Sequence, residues 1–235
     1  MSGASRVLVV SNIDLRTNMH MMKPSEFLKS SVKDFILNVN NDYRYMKTGY
    51  YVSLHAEILG NKVVPSTENI VDAYRIPTLL LRASKAGIPT LSYLITDSVK
   101  RIMSEFSFPV VIFAVNPFSF NGFKIAHNRS SLYRAVKSLS MNYRYAVCAQ
   151  PLSGEMASYK SFFGRCEVNN ERVNEISRKV YETFNIPVCK LHIQHVGGEA
   201  YICGFQPLNL EEILPSDVDE ISKMVSRFSE KGWFN

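Results

Sequence analysis

The stretch that decides the fold is Asp42–Tyr74, which reads DYRYMKTGYYVSLHAEILGNKVVPSTENIVDAY. Its central part, Thr48–Gly60, predicts a helix, because a glycine at the end of such a segment is a common C-terminal stop. The valine pair that follows predicts the end of a strand. Basic and aromatic side chains are mixed along the stretch, and four of its residues predict a pocket at a domain junction: Arg44, Lys47, Tyr50 and Ser53.

Elsewhere, strands and helices alternate early in the chain and hairpins dominate late. The β-branched run Arg6–Val10 predicts a buried strand, and the apolar spacing of Lys23–Leu37 predicts a helix. Gly197-Gly198 predicts a two-residue hairpin turn. This order predicts an α+β (mixed α/β) fold with up to three small subdomains. Helix caps are predicted at Asp97, Asn128, Asn170 and Ser216, the last in a capping box with Asp219.

The Asp42–Tyr74 stretch resembles the N-terminal domain that precedes the ATP-grasp module in RimK-like proteins. In that family the segment typically reads as a Tyr-Arg-Tyr element, then GYYVSL-AE--G, then a Pro-Ser pair. Long, specific agreement of this kind carries more weight than composition. The matching residues are Tyr43, Arg44, Tyr45, Gly49, Tyr50, Tyr51, Val52, Ser53, Leu54, Ala56, Glu57, Gly60, Pro65 and Ser66.

A second resemblance concerns the order of KAGIPT, FPVVIF and AQPLSGE, at residues 85–90, 108–113 and 149–155. It is similar to the start of an ATP-grasp module, and the two resemblances together cover roughly residues 42–210. They imply an ATP-grasp-like fold in which a small N-terminal α/β domain precedes two α+β subdomains. We expect the domain at residues 1–75, a lid subdomain at 76–150 and a C-terminal subdomain at 151–235.

ATP-grasp enzymes join a carboxylate to an amine through an acyl phosphate, which requires phosphate-binding lysines, a mobile glycine loop and acidic Mg²⁺ ligands. This sequence departs from that pattern at each point. Phe113 stands at the lysine position, and the loop NPFSFNG keeps Gly122 alone. His192 replaces the first acid, and Gly204-Phe205-Gln206 replaces the Glu-x-Asn element. Since losing one electrostatic stabiliser costs about 3–4 kcal/mol of barrier, the resemblance implies a scaffold without ligase activity.

The resemblance also implies which residues would hold a ligand. ATP and Mg²⁺ are the expected cofactors of the family, but Gly204 and His192 argue against Mg²⁺, so the cofactor stays unknown. No metal ligand and no catalytic residue is assigned. The nucleotide-binding candidates are Ser119, Asn121, Gly122, Lys124, Gln150 and Lys160. Among them, Gln150 matches the glutamine that begins the hinge facing adenine in ATP-grasp modules. Gln206 joins the predicted junction pocket.

Three functions stay open at this point. The first is a non-catalytic ATP-grasp-fold protein that binds a nucleotide or another ligand, or regulates a partner. The second is an atypical ATP-dependent carboxylate–amine ligase that uses Lys124 or Lys160, with acids from the set Glu155, Glu199 and Glu211. The third is a basic scaffold that binds RNA or protein. Two carboxylates converging on the phosphate site would favour the second.

The composition of the chain limits the kinds of partner and the location that we expect. The net charge of +6 favours anionic partners, but the basic residues are spread along all 235 residues and no RNA- or DNA-binding signature is present, which argues against nucleic acid. The four cysteines form no CxxC pair, so we expect buried thiols rather than a zinc site. No apolar run is long enough to span a membrane. We expect a cytoplasmic protein that forms a homo-oligomer or pairs with an active relative.

Overall fold

The computed structural model describes residues 6–115 and 122–230, whose strands form three sheets. The first sheet is parallel, with strand order β2-β1-β3-β4. Its two inner strands, β1 and β3, are buried along nearly their whole length and are mostly apolar, with Ser11 and Asn38 as the buried polar residues. Its strands and associated helices are β1 (Val7–Ser11), β2 (His20–Met22), α1 (Pro24–Phe27), β3 (Phe35–Val39), α2 (Thr48–Ile58), β4 (Val63–Val64) and α3 (Thr67–Ala73).

The helix predicted over Lys23–Leu37 is wrong. Only Pro24–Phe27 is helical, and Phe35–Val39 forms the strand β3 between β1 and β4. All five residues of β3 are buried and four of them are apolar, as expected for an inner strand of a parallel sheet that is covered on both faces. The spacing that fits a helical face therefore belongs to two separate elements. The helix predicted over Thr48–Gly60 is confirmed as α2, with Gly60 in the left-handed conformation at φ 77° just beyond its end.

The second sheet is antiparallel, with strand order β5-β8-β6-β7. Two helices cover one face, where their apolar residues pack with those of β6 and β8 in one core cluster. Asn128 caps the second helix as predicted, whereas the first is capped by Ser98 rather than by Asp97. The elements are β5 (Leu94–Thr96), α5 (Val99–Glu105), β6 (Val110–Ala114), β7 (Phe123–Ala126), α6 (Arg129–Leu139) and β8 (Val147–Pro151).

The third sheet is antiparallel, with strand order β11-β10-β9. The hairpin predicted at Gly197-Gly198 is confirmed, since both glycines have positive φ (58° and 83°), as a tight two-residue turn requires. Two helices pack on this sheet, one of them capped by Asn170 as predicted. The elements are α4 (Ile76–Lys85), β9 (Glu155–Phe162), α7 (Glu171–Phe184), β10 (Val188–Val196) and β11 (Glu199–Gln206).

The last helix, α8 (Pro215–Glu230), follows a 3₁₀ turn at Leu210–Glu212 and joins the first and third sheets. Its apolar face packs with β3 and with the ends of β9 and β10 in one core cluster. The capping box predicted for Ser216 and Asp219 is wrong, because the helix begins at Pro215, two residues earlier than a Ser216 cap would place it. The Leu214 N–H donates to Asp217 Oδ2 at 2.8 Å instead.

The largest core cluster of the described residues joins the second and third sheets and extends through α4 and α3 to Tyr43, which follows β3. The four cysteines are buried free thiols. No helix within residues 6–115 and 122–230 is long and apolar enough to cross a membrane. The predicted domain boundaries at residues 75 and 150 stay a prediction.

Candidate functional site

A cavity of about 280 Å³ lies at the junction of the three sheets. The loop after β3 and the α3–α4 connection form one wall, and β6 with the start of β7 forms a second. The central strand β10 and the end of β11 form the floor. The lining residues are Arg44, Tyr45, Val71, Tyr74, Arg75, Ile76, Phe113, Ala114, Gly122, Lys190, His192, Phe205, Gln206, Pro207 and Asn209.

Two of the three cationic residues that line the cavity are fixed by acids behind them. The Arg44 guanidinium forms a two-pronged ion pair with Asp42, with Nη2–Oδ2 at 2.6 Å and Nε–Oδ1 at 3.0 Å, and this bond raises the pKa of Arg44. Lys190 Nζ lies 2.6 and 2.7 Å from the carboxylate oxygens of Glu212, and its bond holds the pKa of Glu212 below the usual range. Both cations are thereby held in place beside the cavity.

Arg75 is the third cation, and it differs from the other two. Its side chain is exposed, and it forms no ion pair with any described residue. No Asp or Glu of residues 6–115 and 122–230 lines the cavity. Carboxylates thus pair with two of the three cations of the wall and leave the charge of Arg75 without a partner among the described residues. This net positive charge favours an anion in the cavity.

The residues at the departures from the ATP-grasp pattern pack together as one group. A Cβ added at Gly204 would lie 2.8 Å from Phe113 Cε1 and 3.1 Å from His192 Cδ2. The Phe123 ring lies against both neighbours, with centroids 5.5 Å from Phe113 and 5.0 Å from His192. We call these four residues the aromatic plug. The plug occupies the space that a side chain at position 204 would need.

Two buried polar atoms of the cavity wall lack hydrogen-bond partners among the described residues, namely His192 Nε2 and Tyr74 Oη. His192 is 3% exposed, and its Nδ1 shares a hydrogen bond with Ser158 Oγ at 2.8 Å. Burial lowers the pKa of His192 to about 4, opposed by the neighbouring Gln206 amide, so the ring is neutral at pH 7. Burial also raises the pKa of Tyr74 well above its usual range, which keeps its hydroxyl a donor.

The segment that begins with Gln150, residues 150–154, includes the end of β8, and we call it the hinge. Side chains of this chain tie it to the third sheet. Gln150 Nε2 donates to the Cys203 carbonyl at 2.9 Å. The fully buried Gln194 makes two bonds at once: its Nε2 donates to the Pro151 carbonyl at 3.1 Å, and its Oε1 accepts from the Ser153 N–H at 3.1 Å. The hinge backbone groups that face β10 are therefore already hydrogen-bonded.

The nucleotide-binding candidates lie in different places. Ser119 and Asn121 fall outside the described residues. Gly122 lines the cavity, and a Cβ there would overlap the Gln206 amide, so the two positions meet across the cavity. Gln150 lies in the hinge described above. Lys124 Nζ donates to Ser138 Oγ at 2.8 Å.

Lys160 Nζ donates to the Glu212 carbonyl at 2.5 Å and to Asp217 Oδ2 at 2.6 Å. Like Lys124 and Gln150, it does not line the cavity. Nucleotide binding by any of these residues stays a prediction.

Of the residues predicted for a junction pocket, Arg44 and Gln206 line the cavity and the other three do not. Ser53 is buried in the first domain, where its hydroxyl donates to the Pro65 carbonyl at 2.7 Å. Tyr50 packs edge-on against Tyr45, with ring centroids 5.1 Å apart. Lys47 is exposed at the N-terminus of α2.

Sequence reasoning missed Tyr74 and Arg75 as lining residues. The signal that could have found them is position, because they end and directly follow the Asp42–Tyr74 stretch. Lys190 and His192 alternate along β10, which places both on the face of the sheet towards the cavity.

The acids considered for an atypical ligase do not converge on the cavity. Glu155 and Glu199 are exposed at one end of the third sheet, and Glu199 pairs with Arg172 at 2.8 Å. Glu211 is exposed in the 3₁₀ turn. In the part of the chain that the structure describes, no cluster of three or more His, Cys, Asp or Glu residues is placed to hold a metal ion.

Comparison with known proteins gives the family. A family profile described as the RimK-like ATPgrasp N-terminal domain matches residues 21–223. The chain belongs to this family. The matched range begins within β2 and ends within α8, so every lining residue of the cavity belongs to this RimK-like domain. A search of curated proteins found no match.

Solved structures show the same fold at low sequence identity. A RimK-domain ATP-grasp protein from Sphaerobacter thermophilus has a TM-score of 0.66 at 12% identity, over 95% of this chain and 99% of its own. A D-alanine–D-alanine ligase from Bacillus anthracis has a TM-score of 0.65 at 16% identity, over 97% of both chains. The ATP-grasp ligase PsnB, solved with Mg and ADP, has a TM-score of 0.60 at 11% identity, over 98% of both chains. The predicted α+β, ATP-grasp-like fold is confirmed.

The donor set of this RimK-like domain does not fit Mg²⁺. The ion requires several hard oxygen ligands in octahedral geometry. At the positions where the ATP-grasp pattern has acids, the cavity presents an imidazole at His192 and a single amide at Gln206, while Gly204 has no side chain and does not line it. The remaining charged groups of the wall are cations, which repel a metal ion.

Proposed function

We propose that this RimK-like domain is a ligand-binding ATP-grasp-fold protein without ligase activity, which takes up an anion in the junction cavity. One observation carries the proposal: Arg44, Arg75 and Lys190 line the cavity, while no acid of the described residues does. An anion gains from all three charges in a site partly shielded from water. Nothing in the same wall offers the ligands that a magnesium-dependent phosphoryl transfer requires.

The aromatic plug supports the absence of catalysis. An aromatic ring at Phe113 cannot neutralise a phosphate, and Gly204 cannot ligate a metal. Each removed electrostatic stabiliser costs about 3–4 kcal/mol of barrier, so the loss of several makes turnover negligible. The atypical-ligase alternative needed two carboxylates at the phosphate site, and the positions of Glu155, Glu199 and Glu211 give it no support.

A second part of the proposal concerns the partner of the domain and its location. A domain that binds a ligand without catalysis can act as a regulator if occupancy of its site changes the behaviour of a partner protein. We propose that the partner is an active relative or a second copy of this chain, and that the complex is cytoplasmic. Size-exclusion chromatography with light scattering, with and without ligand, tests self-association.

Isothermal titration calorimetry with inorganic triphosphate and with ATP, each with and without Mg²⁺, tests the main proposal. We expect anion binding that is unaffected by Mg²⁺, and no release of ADP in the presence of an amino-acid mixture. Arg75→Gln should weaken binding at least fivefold, because it removes a lining cation that no ion pair holds. Arg134→Gln, at an exposed position of α6 outside the cavity, is the matched control. Magnesium-dependent turnover would contradict the proposal.

A further inference from the structure

We infer that the ligand of the junction cavity is a small phosphate-like oxyanion without a nucleobase, bound without metal, and that Gln194 closes the hinge against a base. The binding of an anion rests on the proposed function. The exclusion of a base rests on other contacts, those of the hinge. It departs from the nucleotide that the fold would suggest. The evidence comes from the size of the cavity, its unpaired polar atoms and the bonds of the hinge.

The extent of the cavity gives the first observation. Its volume of about 280 Å³ lies at the lower end of the range of about 300–1,000 Å³ for drug-sized ligands. Among the described residues, its lining includes none of the hinge 150–154. The cavity therefore stops short of the hinge, and its charged wall at Arg44 and Arg75 suits a phosphate group.

The unpaired polar atoms indicate what the occupant must offer. Buried polar groups are nearly always hydrogen-bonded, so Tyr74 Oη, which has no partner among the described residues, indicates a missing partner. His192 Nε2 meets no geometric criterion for a hydrogen bond and has the Gln206 amide as its neighbour. Tyr74 Oη is a hydroxyl that can donate. If Ser158 donates to His192 Nδ1, then Nε2 of the neutral ring carries the hydrogen and also donates. An oxyanion accepts from both groups and from the guanidinium donors beside them, and no metal is needed.

The hinge supplies the independent argument. The carboxamide of Gln194 presents a donor and an acceptor side by side, the same pair that an edge of adenine presents. It satisfies the Pro151 carbonyl and the Ser153 N–H, two backbone groups two residues apart. A base entering the hinge would have to break both bonds and leave a fully buried carboxamide unpaired.

Gly154 lets the hinge lie directly against the third sheet. A Cβ at this position would overlap the His195 carbonyl, so the hinge backbone lies directly against β10. The glycine thus permits a close approach that leaves no layer between hinge and sheet. Gln194 and Gly154 act together as a closed hinge.

The experiment titrates the full chain with inorganic phosphate, triphosphate, ATP and adenosine, first in EDTA and then in buffer with Mg²⁺. We expect phosphate and triphosphate to bind, ATP to bind no more than threefold tighter than triphosphate, and adenosine not to bind. Adenosine binding, or ATP binding over tenfold tighter than triphosphate, would overturn the exclusion of the base while leaving anion binding intact. If no anion binds in any buffer, the proposed function fails with the oxyanion assignment. If binding requires Mg²⁺, the metal-free assignment fails.

Two variants test the hinge. Gln194→Ala should raise the preference for ATP over triphosphate at least tenfold, because it vacates the space and frees both backbone groups. Gln194→Met fills the same space and should show no such gain. Equal behaviour of the two variants would overturn the assignment to Gln194. The wild-type adenosine titration decides the exclusion of the base even if the alanine variant does not fold.

A third variant tests the unpaired donors. Tyr74→Phe should lower phosphate affinity at least fivefold while raising the melting temperature of the unliganded protein, because it removes a buried hydroxyl without a partner. A merely structural role for the hydroxyl predicts the opposite change in stability. Tyr133→Phe on α6, outside the cavity, is the control and should change neither quantity.

Discussion

At the scale of single residues, the packing around position 204 explains why a glycine occupies it. Its missing side chain leaves room for the Phe113 ring, and a Cβ would come within 2.8 Å of that ring. We expect Gly204→Ala to lower the free energy of unfolding by about 1–3 kcal/mol, the usual cost of overpacking a core. Urea denaturation measures it. Adding Phe113→Leu should recover part of the loss, and a double variant that is merely additive would contradict the proposed contact.

His192 makes a residue-scale prediction about pH. Its pKa is about 4 in the folded protein and 6.5 as the reference for the unfolded chain, so between these values the unfolded chain binds more protons. Stability contributed by the neutral ring is complete above pH 6.5 and is lost as the pH falls towards 4. By pH 5 the loss is about 2 kcal/mol.

Comparing the unfolding free energies of the wild type and His192→Gln isolates the pH-dependent contribution of His192. Glu220, whose pKa is raised to about 7 by burial and by Glu167, changes stability in the same pH range, but it lies on α8 away from the cavity. The wild-type minus variant difference in unfolding free energy cancels that contribution. A difference that does not change between pH 8 and pH 5 would contradict the buried neutral ring.

At the scale of elements, Asp217 makes the start of α8 a sensitive point. The carboxylate is 3% exposed and accepts both from the Leu214 N–H at 2.8 Å and from Lys160 Nζ at 2.6 Å. We expect Asp217→Asn to lower the free energy of unfolding by about 2 kcal/mol, within the range for hydrogen bonds to charged groups. Asp219→Asn, at an exposed position of the same helix, should change it by less than about 0.5 kcal/mol. Thermal denaturation of both variants measures the effect.

Most elements could be predicted from local sequence, and the failures have physical reasons. The caps at Asn128 and Asn170 and the turn at Gly197-Gly198 depend on bonds within a few residues, so a local pattern is enough. The segment Lys23–Leu37 fails because its apolar run is buried by strands distant in the sequence. Spacing alone cannot separate a helix face from a strand that is buried on both sides.

The candidate site was less predictable than the elements. Arg44 and Gln206 could be chosen from the family pattern, but the cavity also depends on groups brought together by three sheets. The role of Gln194 follows from its hydrogen bonds to Ser153 and Pro151, which precede it in the sequence by 41 and 43 positions. Contacts at such separations have no local signature.

At the scale of the whole molecule, a ligand in the proposed site would contact residues positioned by all three sheets, so its binding should stabilise the folded chain. A ligand that binds only the folded chain stabilises it by about 2.7 kcal/mol at a concentration 100 times its dissociation constant. We expect saturating triphosphate to raise the melting temperature of wild type and to raise that of Arg75→Gln much less at the same concentration. Differential scanning fluorimetry measures both. An equal rise in the two proteins would place the anion elsewhere.

The aromatic plug has a consequence for changing the site by mutation. Because the Phe113 ring fills the space beside Gly204, an acid at position 204 would collide with the ring. A lysine in place of Phe113, which is 1% exposed, would bring a charge into the core, and no acid of the described residues lines the cavity beside it. Each single substitution is thus disfavoured, so building a charged metal site here would require several positions to change together.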